Sequence, residues 1–168
     1  MRTAGRIFAL FLLLATVGCD RVTKHIATTM LAGKPGVSYF GDTVRLEYTE
    51  NSGAFMSMGS GLPDWVRTDL LTVGAGVGLL AIAFAAIRRR WIGLSLIGGT
   101  LFMAGGASNL IDRIAWGSVV DFMNVGIGPF RSGIFNVADV SLMGGVVLMV
   151  IGVSGGESCT SVSGRTSG

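Results

Sequence analysis

Long stretches of chain without a single ionisable side chain constrain this protein most. A bilayer's hydrocarbon core, about 30 Å thick, is crossed by roughly 20 mostly apolar residues in a helix, and four windows approach that length. The first runs from Ile7 to Gly18 and reaches spanning length only if its helix continues through Asp20 towards Met30; the others run from Leu70 to Ile87, Trp91 to Ala107 and Ile134 to Val153. Only 14% of residues are charged and 27 of 168 are glycine. A soluble domain carries about 25% charge, whereas packed membrane helices use small residues to bring backbones together. A membrane all-α fold with four transmembrane helices follows, as one domain over residues 1–168 with a flexible tail from Ser154 to Gly168.

Charge placement orients the spans. Arg2 and Arg6 precede the first, and Arg88, Arg89 and Arg90 separate the second from the third, which puts both sites, and with them both termini, on the cytoplasmic side. The connections from Leu31 to Asp69 and from Asp112 to Gly133 then face outward. Val37 to Phe40 and Thr43 to Tyr48 are short β-prone runs broken by Gly41 and Asp42, which predict a small extracytoplasmic β-sheet. The glycine-rich loop from Gly53 to Gly61 follows and is a candidate lid. Gly74 and Gly78 form a GxxxG pair expected to pack helices.

Composition also excludes. A net charge of +3 from scattered basic residues is no nucleic-acid footprint. Cys19, in an apolar stretch, and Cys159, in the tail, offer neither a disulfide framework nor metal-ligand spacing; no metal and no cofactor is expected. Arg2, Arg6, the apolar run and the small residues before Cys19 also read as a secretory signal with a lipid-modified cysteine. Cleavage there would leave three spans and disturb the arginine topology, so a small structural residue at Cys19 is preferred.

The chemistry sits in four acids. An ionised carboxylate in the bilayer costs ~2.5 kcal/mol or more, so Asp20 at the end of the first span, Asp112 and Asp121 after the third, and Asp139 in the first turns of the fourth need a reason. Val119, Val120 and Phe122 frame Asp121; Phe135, Val137, Ala138 and Val140 frame Asp139. Two carboxyls held close in apolar surroundings split their pKa values and supply one acid and one base at the same pH. That suits water activation without a nucleophilic side chain. The single histidine, His25, and the two lysines, Lys24 and Lys34, form no constellation with a serine or cysteine. A proton-conducting bundle is the alternative, but it requires acids at several depths, and these four gather towards one face.

Five motifs occur in order: Asp20-Arg-Val-Thr-Lys24, Asn51-Ser-Gly-Ala-Phe55, Gly105-Gly-Ala-Ser-Asn109-Leu-Ile-Asp112-Arg113, Val119-Val-Asp121-Phe122 and Phe135-Asn136-Val-Ala-Asp139. Together they resemble the lipoprotein signal peptidases. The resemblance implies an aspartic endopeptidase of the bacterial cytoplasmic membrane, working as a monomer among membrane lipids. Its substrates would be diacylglyceryl-modified prolipoproteins, cut just before the lipidated cysteine. Asp121 and Asp139 would be the catalytic dyad; Asn51, Gly53, Asn109, Arg113 and Asn136 would line the substrate site, with Asp20 and Lys24 in support. For Asp112 and Arg113 a local ion pair fixing the end of the third span is the preferred role. Gly53-Ala54-Phe55 departs from the family's usual two alanines before the phenylalanine, which bears on where Phe55 meets substrate.

Overall fold

The computed structural model describes residues 2–52 and 63–155. Among them, four helices are long and apolar enough to cross a membrane: α1 (Arg2–Leu31), α2 (Asp64–Arg89), α3 (Gly93–Trp116) and α4 (Val137–Ser154). Four strands, β1 (Val37–Tyr39), β2 (Val44–Asn51), β3 (Val119–Ile127) and β4 (Phe130–Arg131), form one antiparallel sheet in the order β1-β2-β3-β4. The glycine-rich loop, Gly53 within it, and most of the expected tail lie outside the described residues.

The first span does continue through Asp20, giving an α1 of 30 residues, about 45 Å at 1.5 Å per residue. Several boundaries move, with α2 beginning at Asp64 rather than Leu70 and α3 at Gly93 rather than Trp91. α4 begins at Val137 rather than Ile134, and α3 runs past Ala107 to Trp116, ending on Gly117 at φ 73°, the left-handed cap glycine adopts readily. Asp112 and Arg113 therefore lie on α3, not in the connection after it. The charge does not end the span because Asp112 is paired with cations on α1.

α3 is the central helix and packs against α1, α2 and α4. Its closest approach is to α4: a Cβ built on Gly105 would stand 2.3 Å from the Ala138 oxygen, one on Gly98 2.6 Å from the Met149 nitrogen and 2.7 Å from the Gly145 oxygen, and one on Gly145 2.6 Å from the Phe102 nitrogen. Gly74 and Gly78 take no part, since nothing lies within 4 Å of a Cβ at either. The expected small-residue contact is thus made by Gly98 and Gly145, whose neighbours are backbone and cannot yield. Gly98→Val should destabilise the bundle by about 3 kcal/mol, the upper end of the usual overpacking range, while Gly74→Val should be near neutral; thermal unfolding of both in detergent checks the contrast.

Leu10, Phe11, Leu80, Phe84, Met143 and Val150 are all exposed on α1, α2 and α4, an apolar perimeter suited to lipid. At one end of the bundle the sheet joins the two long connections. β2 pairs with β3 in the register Asn51↔Val119, Thr49↔Asp121, Leu46↔Met123 and Val44↔Val125, with an irregularity between Leu46 and Thr49. The β-prone runs of the first connection do form strands, but half of the sheet comes from the second.

Candidate active site

Asp121 and Asp139 arrive from different elements and meet at Asn136. Asp121 is buried on β3; its Oδ1 accepts from Asn136 Nδ2 at 2.6 Å and its Oδ2 from Asn51 Nδ2 at 2.9 Å. Asp139 stands in the first turn of α4, where Asn136 is the N-cap. The Asn136 Oδ1 accepts from the Asp139 amide at 2.9 Å while the Asp139 Oδ2 accepts from the Asn136 amide at 3.1 Å, a reciprocal capping box. One fully buried asparagine thus starts a helix and holds a carboxylate of the sheet beside it. The Asn136 NH₂ donates to the Asp121 carboxylate and its oxygen accepts from the Asp139 backbone N–H.

The other Asp139 oxygen accepts from Asn109 Nδ2 at 2.8 Å. A lysine sets that orientation. Lys24 Nζ donates to Asn109 Oδ1 at 2.8 Å, and an ammonium only donates, so the Asn109 carbonyl must face Lys24 and its NH₂ must face Asp139. Lys24 also donates to Asp112 Oδ2 and pairs with Asp20 Oδ2, both at 2.7 Å. Asp20, fully buried at 0% exposure, accepts from Ser108 Oγ at 2.7 Å and from the Ala138 amide at 2.8 Å. An α1 carboxylate thereby satisfies a first-turn amide of α4, one of the donors every helix start leaves unpaired.

Asp112 completes this network with Arg21 and Lys24 rather than Arg113, so the expected local ion pair is not formed. Neighbouring positions on a helix point in different directions, whereas α1 and α3 face each other. Arg113, half-buried, donates to the Asn109 backbone carbonyl at 3.5 Å. Arg21 and Ser108 were not singled out from the sequence. The spacing that brings Asp20 and Lys24 onto one helix face was the available signal, since two buried charges there require polar partners opposite.

Of the expected site residues, Asp20, Lys24, Asn51, Asn109, Asp112, Asp121, Asn136 and Asp139 form one connected hydrogen-bond and ion-pair system; Arg113 sits one turn from Asn109, and Gly53 is outside the described residues. Burial pushes the Asp121 carboxyl above its ordinary range. The Asn51 amide opposes that, the Asp139 charge reinforces it, and the Asn136 amide and Lys24 oppose it more weakly. Chemically, the site offers a carboxyl whose ionisation burial opposes, linked through Asn136 to a second carboxyl group. Val120 points to the opposite sheet face from Asp121, where a cavity of about 530 Å³ is lined by Arg21, His25, Tyr48, Glu50 and Trp116. Cys19 is exposed on the unbroken α1, next to buried Asp20.

Known proteins resemble this chain in sequence and in fold. The profile of the Signal peptidase (SPase) II family matches residues 12–154. A lipoprotein signal peptidase of Mycobacterium tuberculosis is 39% identical over 139 residues, covering 79% of this chain and 63% of that protein. One from Mycobacterium avium is 37% identical over 158 residues, covering 89% and 81%. The chain thus spans 63% of the length of the first of these relatives. A solved bacterial membrane enzyme, determined by the in meso method at 1.9 Å resolution, superposes with a TM-score of 0.76 at 26% identity, over 87% of this chain and 92% of the other.

Proposed function

The chain belongs to the signal peptidase II family, and from that premise we propose that it is a membrane aspartic endopeptidase that removes the signal peptide from diacylglyceryl-modified prolipoproteins, cutting before the lipidated cysteine. The observation that carries the mechanism is the convergence of Asp121 and Asp139 on Asn136. The two carboxyls would share one proton, and because burial opposes ionisation of Asp121 we assign it there. Asp139, ionised, takes a proton from a water that attacks the scissile carbonyl. Asp121 donates to the carbonyl oxygen as the tetrahedral intermediate forms; on collapse the proton on Asp139 passes to the leaving nitrogen and a hydroxyl of the intermediate returns its proton to Asp121, restoring both acids. Atoms balance with water alone.

Orientation follows from the arginines. Arg6 lies near the start of α1, and Arg88 and Arg89 are in the last turn of α2, at the end of the bundle away from the sheet. On the positive-inside rule, the dyad faces outward and both termini face the cytoplasm. The substrate's acyl chains dock against the apolar helix faces while its peptide reaches Asn51, Asn109 and Arg113. Proton conduction is disfavoured, since Asp20, Asp112, Asp121 and Asp139 all belong to one assembly at the sheet end.

Gel-shift cleavage of a diacylglyceryl-modified prolipoprotein by the purified protein in detergent tests the activity directly; no cleavage, with the fold intact, overturns the reading. The pH profile tests the assignment of the proton. Ionising Asp121 removes the acid, so kcat/KM should fall as pH rises through its raised pKa. The Asn51 N–H stabilises the ionised form; in Asn51→Ala, Asp121 therefore keeps its proton longer and the alkaline limb moves to higher pH. A limb that stays put or moves down would remove Asp121 from that role.

A further inference from the structure

Four ionisable side chains meet between α1 and α3, and their charges cancel. Lys24 pairs with Asp20 Oδ2 and with Asp112 Oδ2, and Arg21 Nη2 pairs with Asp112 Oδ1 at 2.5 Å. Asp20, Lys24 and Asp112 are buried. Two carboxylates thus face two cations away from bulk water, where charges are screened little, so the sum of the cluster matters to whatever lies beside it.

The dyad lies beside it. Lys24 Nζ donates to Asn109 Oδ1 and Asn109 Nδ2 to Asp139 Oδ1, both at 2.8 Å, and the Lys24 charge reaches Asp121, where it favours the ionised form. Around the cluster, among the described side chains, the other titratable or charged groups are His25 on α1 and Tyr48 and Glu50 on β2, which line the cavity beside Arg21, and Arg113 on α3. β3 contributes Asp121 and α4 contributes Asp139. His25, Glu50 and, on α2, Asp69 are exposed, so water screens them.

Hydrogen bonding alone does not account for an arginine at position 21. One nitrogen, Nη2, makes both of its contacts, to Asp112 Oδ1 and to the Ser108 carbonyl at 2.9 Å. The Nε–H is buried and has no partner among the described residues, so the guanidinium does not grip the carboxylate through the two parallel bonds arginine can make. A neutral amide could donate once to Asp112 without leaving a buried N–H unmet. What only a cation supplies here is the second positive charge.

We propose that Arg21 is a positioning residue for the dyad: by balancing Asp112 it keeps the cluster neutral, so that no net negative charge opposes the ionised carboxylate held through Asn109. Without it Lys24 faces Asp20 and Asp112 alone and the cluster carries one net negative charge, which disfavours a further carboxylate nearby. A unit charge on the order of 10 Å away, at an effective dielectric of about 20, moves a carboxyl titration by about one pH unit. The Arg21 side chain is 34% exposed, and screening there lowers the expectation to roughly 0.5–1 unit. The inference rests on the peptidase reading for its catalytic meaning, while the charge balance itself is measured without substrate.

Carboxyl titration by carbon-13 NMR tests it, on aspartate-labelled protein in detergent micelles, with the dyad's signals assigned by their loss in Asp121→Asn and Asp139→Asn. In Arg21→Gln the dyad's midpoints should rise by roughly 0.5–1 pH unit. In Asp112→Asn, which leaves one net positive charge, they should fall by a similar amount. Arg21→Lys and the double variant Arg21→Gln/Asp112→Asn should both titrate as the parent does. Midpoints that stay put in Arg21→Gln, or move the same way in both single variants, overturn the proposal, as does a lysine variant that titrates like the glutamine one. If Arg21→Gln does not fold, the double variant set against Asp112→Asn decides, since a charge role alone brings its midpoints back up. The acid limb of kcat/KM for prolipoprotein cleavage should shift in the same order. A folded parent that never cuts sinks the peptidase reading and leaves the titrations to stand, so the two fail separately.

Discussion

Asp121→Asn and Asp139→Asn should each lower prolipoprotein cleavage by roughly 10³-fold or more, about 4 kcal/mol of transition-state stabilisation. The substitutions conserve shape, yet they are not silent in the fold. Among the described residues each carboxylate receives only N–H donors, from Asn51 and Asn136 at Asp121 and from Asn109 and the Asn136 amide at Asp139. An asparagine must turn its own NH₂ towards one of them. That costs about 1–3 kcal/mol for a mismatched buried donor, which thermal unfolding in detergent reads separately from rate. Cleavage measured on the folded fraction then isolates chemistry. A variant that folds and cuts at near the parental rate would break the pairing, and Asp112 would become the next acid to test.

Lys24→Met should be the most damaging single change to stability, at about 3–5 kcal/mol, the usual cost of removing one partner from a buried ion pair. The ammonium serves Asp20, Asp112 and Asn109 at once. Without it, Asp20 keeps Ser108 and the Ala138 amide and Asp112 keeps Arg21, but both carboxylates are left in an apolar bundle with less compensation. The Asn109 amide also loses the donor that fixes which way it faces. Turnover per folded molecule should fall as well, because the NH₂ that orients Asp139 is free to rotate away. A double-mutant cycle with Asp112→Leu separates these effects: the pair should lose less stability than the sum of the singles. Additive losses would show that the two side chains do not act through each other.

The helices were legible because their signal is local. Charge-free windows located α2, α3 and α4, and the single condition on α1, passage through Asp20, was met. What shortened the reading of α3 was Asp112, which looks like a span's end when its partners are unknown. Arg21 and Lys24 make it a helix residue, and they lie on another helix about 90 positions away. β3 was missed for a related reason. Val119 to Ile127 is interrupted by Asp121, Asn124 and Gly126, so it shows no clean alternation, and it becomes a strand by pairing with β2 across the whole length of α2 and α3.

The candidate acids were legible on energetic grounds, since a carboxylate in apolar surroundings is too costly to be idle. Their company was less so. Asn136 and Asn109 were expected to line the site, and the arrangement that makes them a connected frame depends on the direction of each amide. That direction is set by Lys24 on one side and by the α4 cap on the other.

Sequence alone therefore determined the membrane class, the number of spans, the family and the acids on which any chemistry must rest, because hydropathy and charge cost are properties of short segments. Tertiary structure alone decided which glycines seat α3 on α4, which cations neutralise Asp112, and how Asp121 and Asp139 come to share Asn136. Those outcomes depend on pairings between distant residues, where a hydrogen bond or a close backbone approach exists only once the helices and the sheet have brought both partners together.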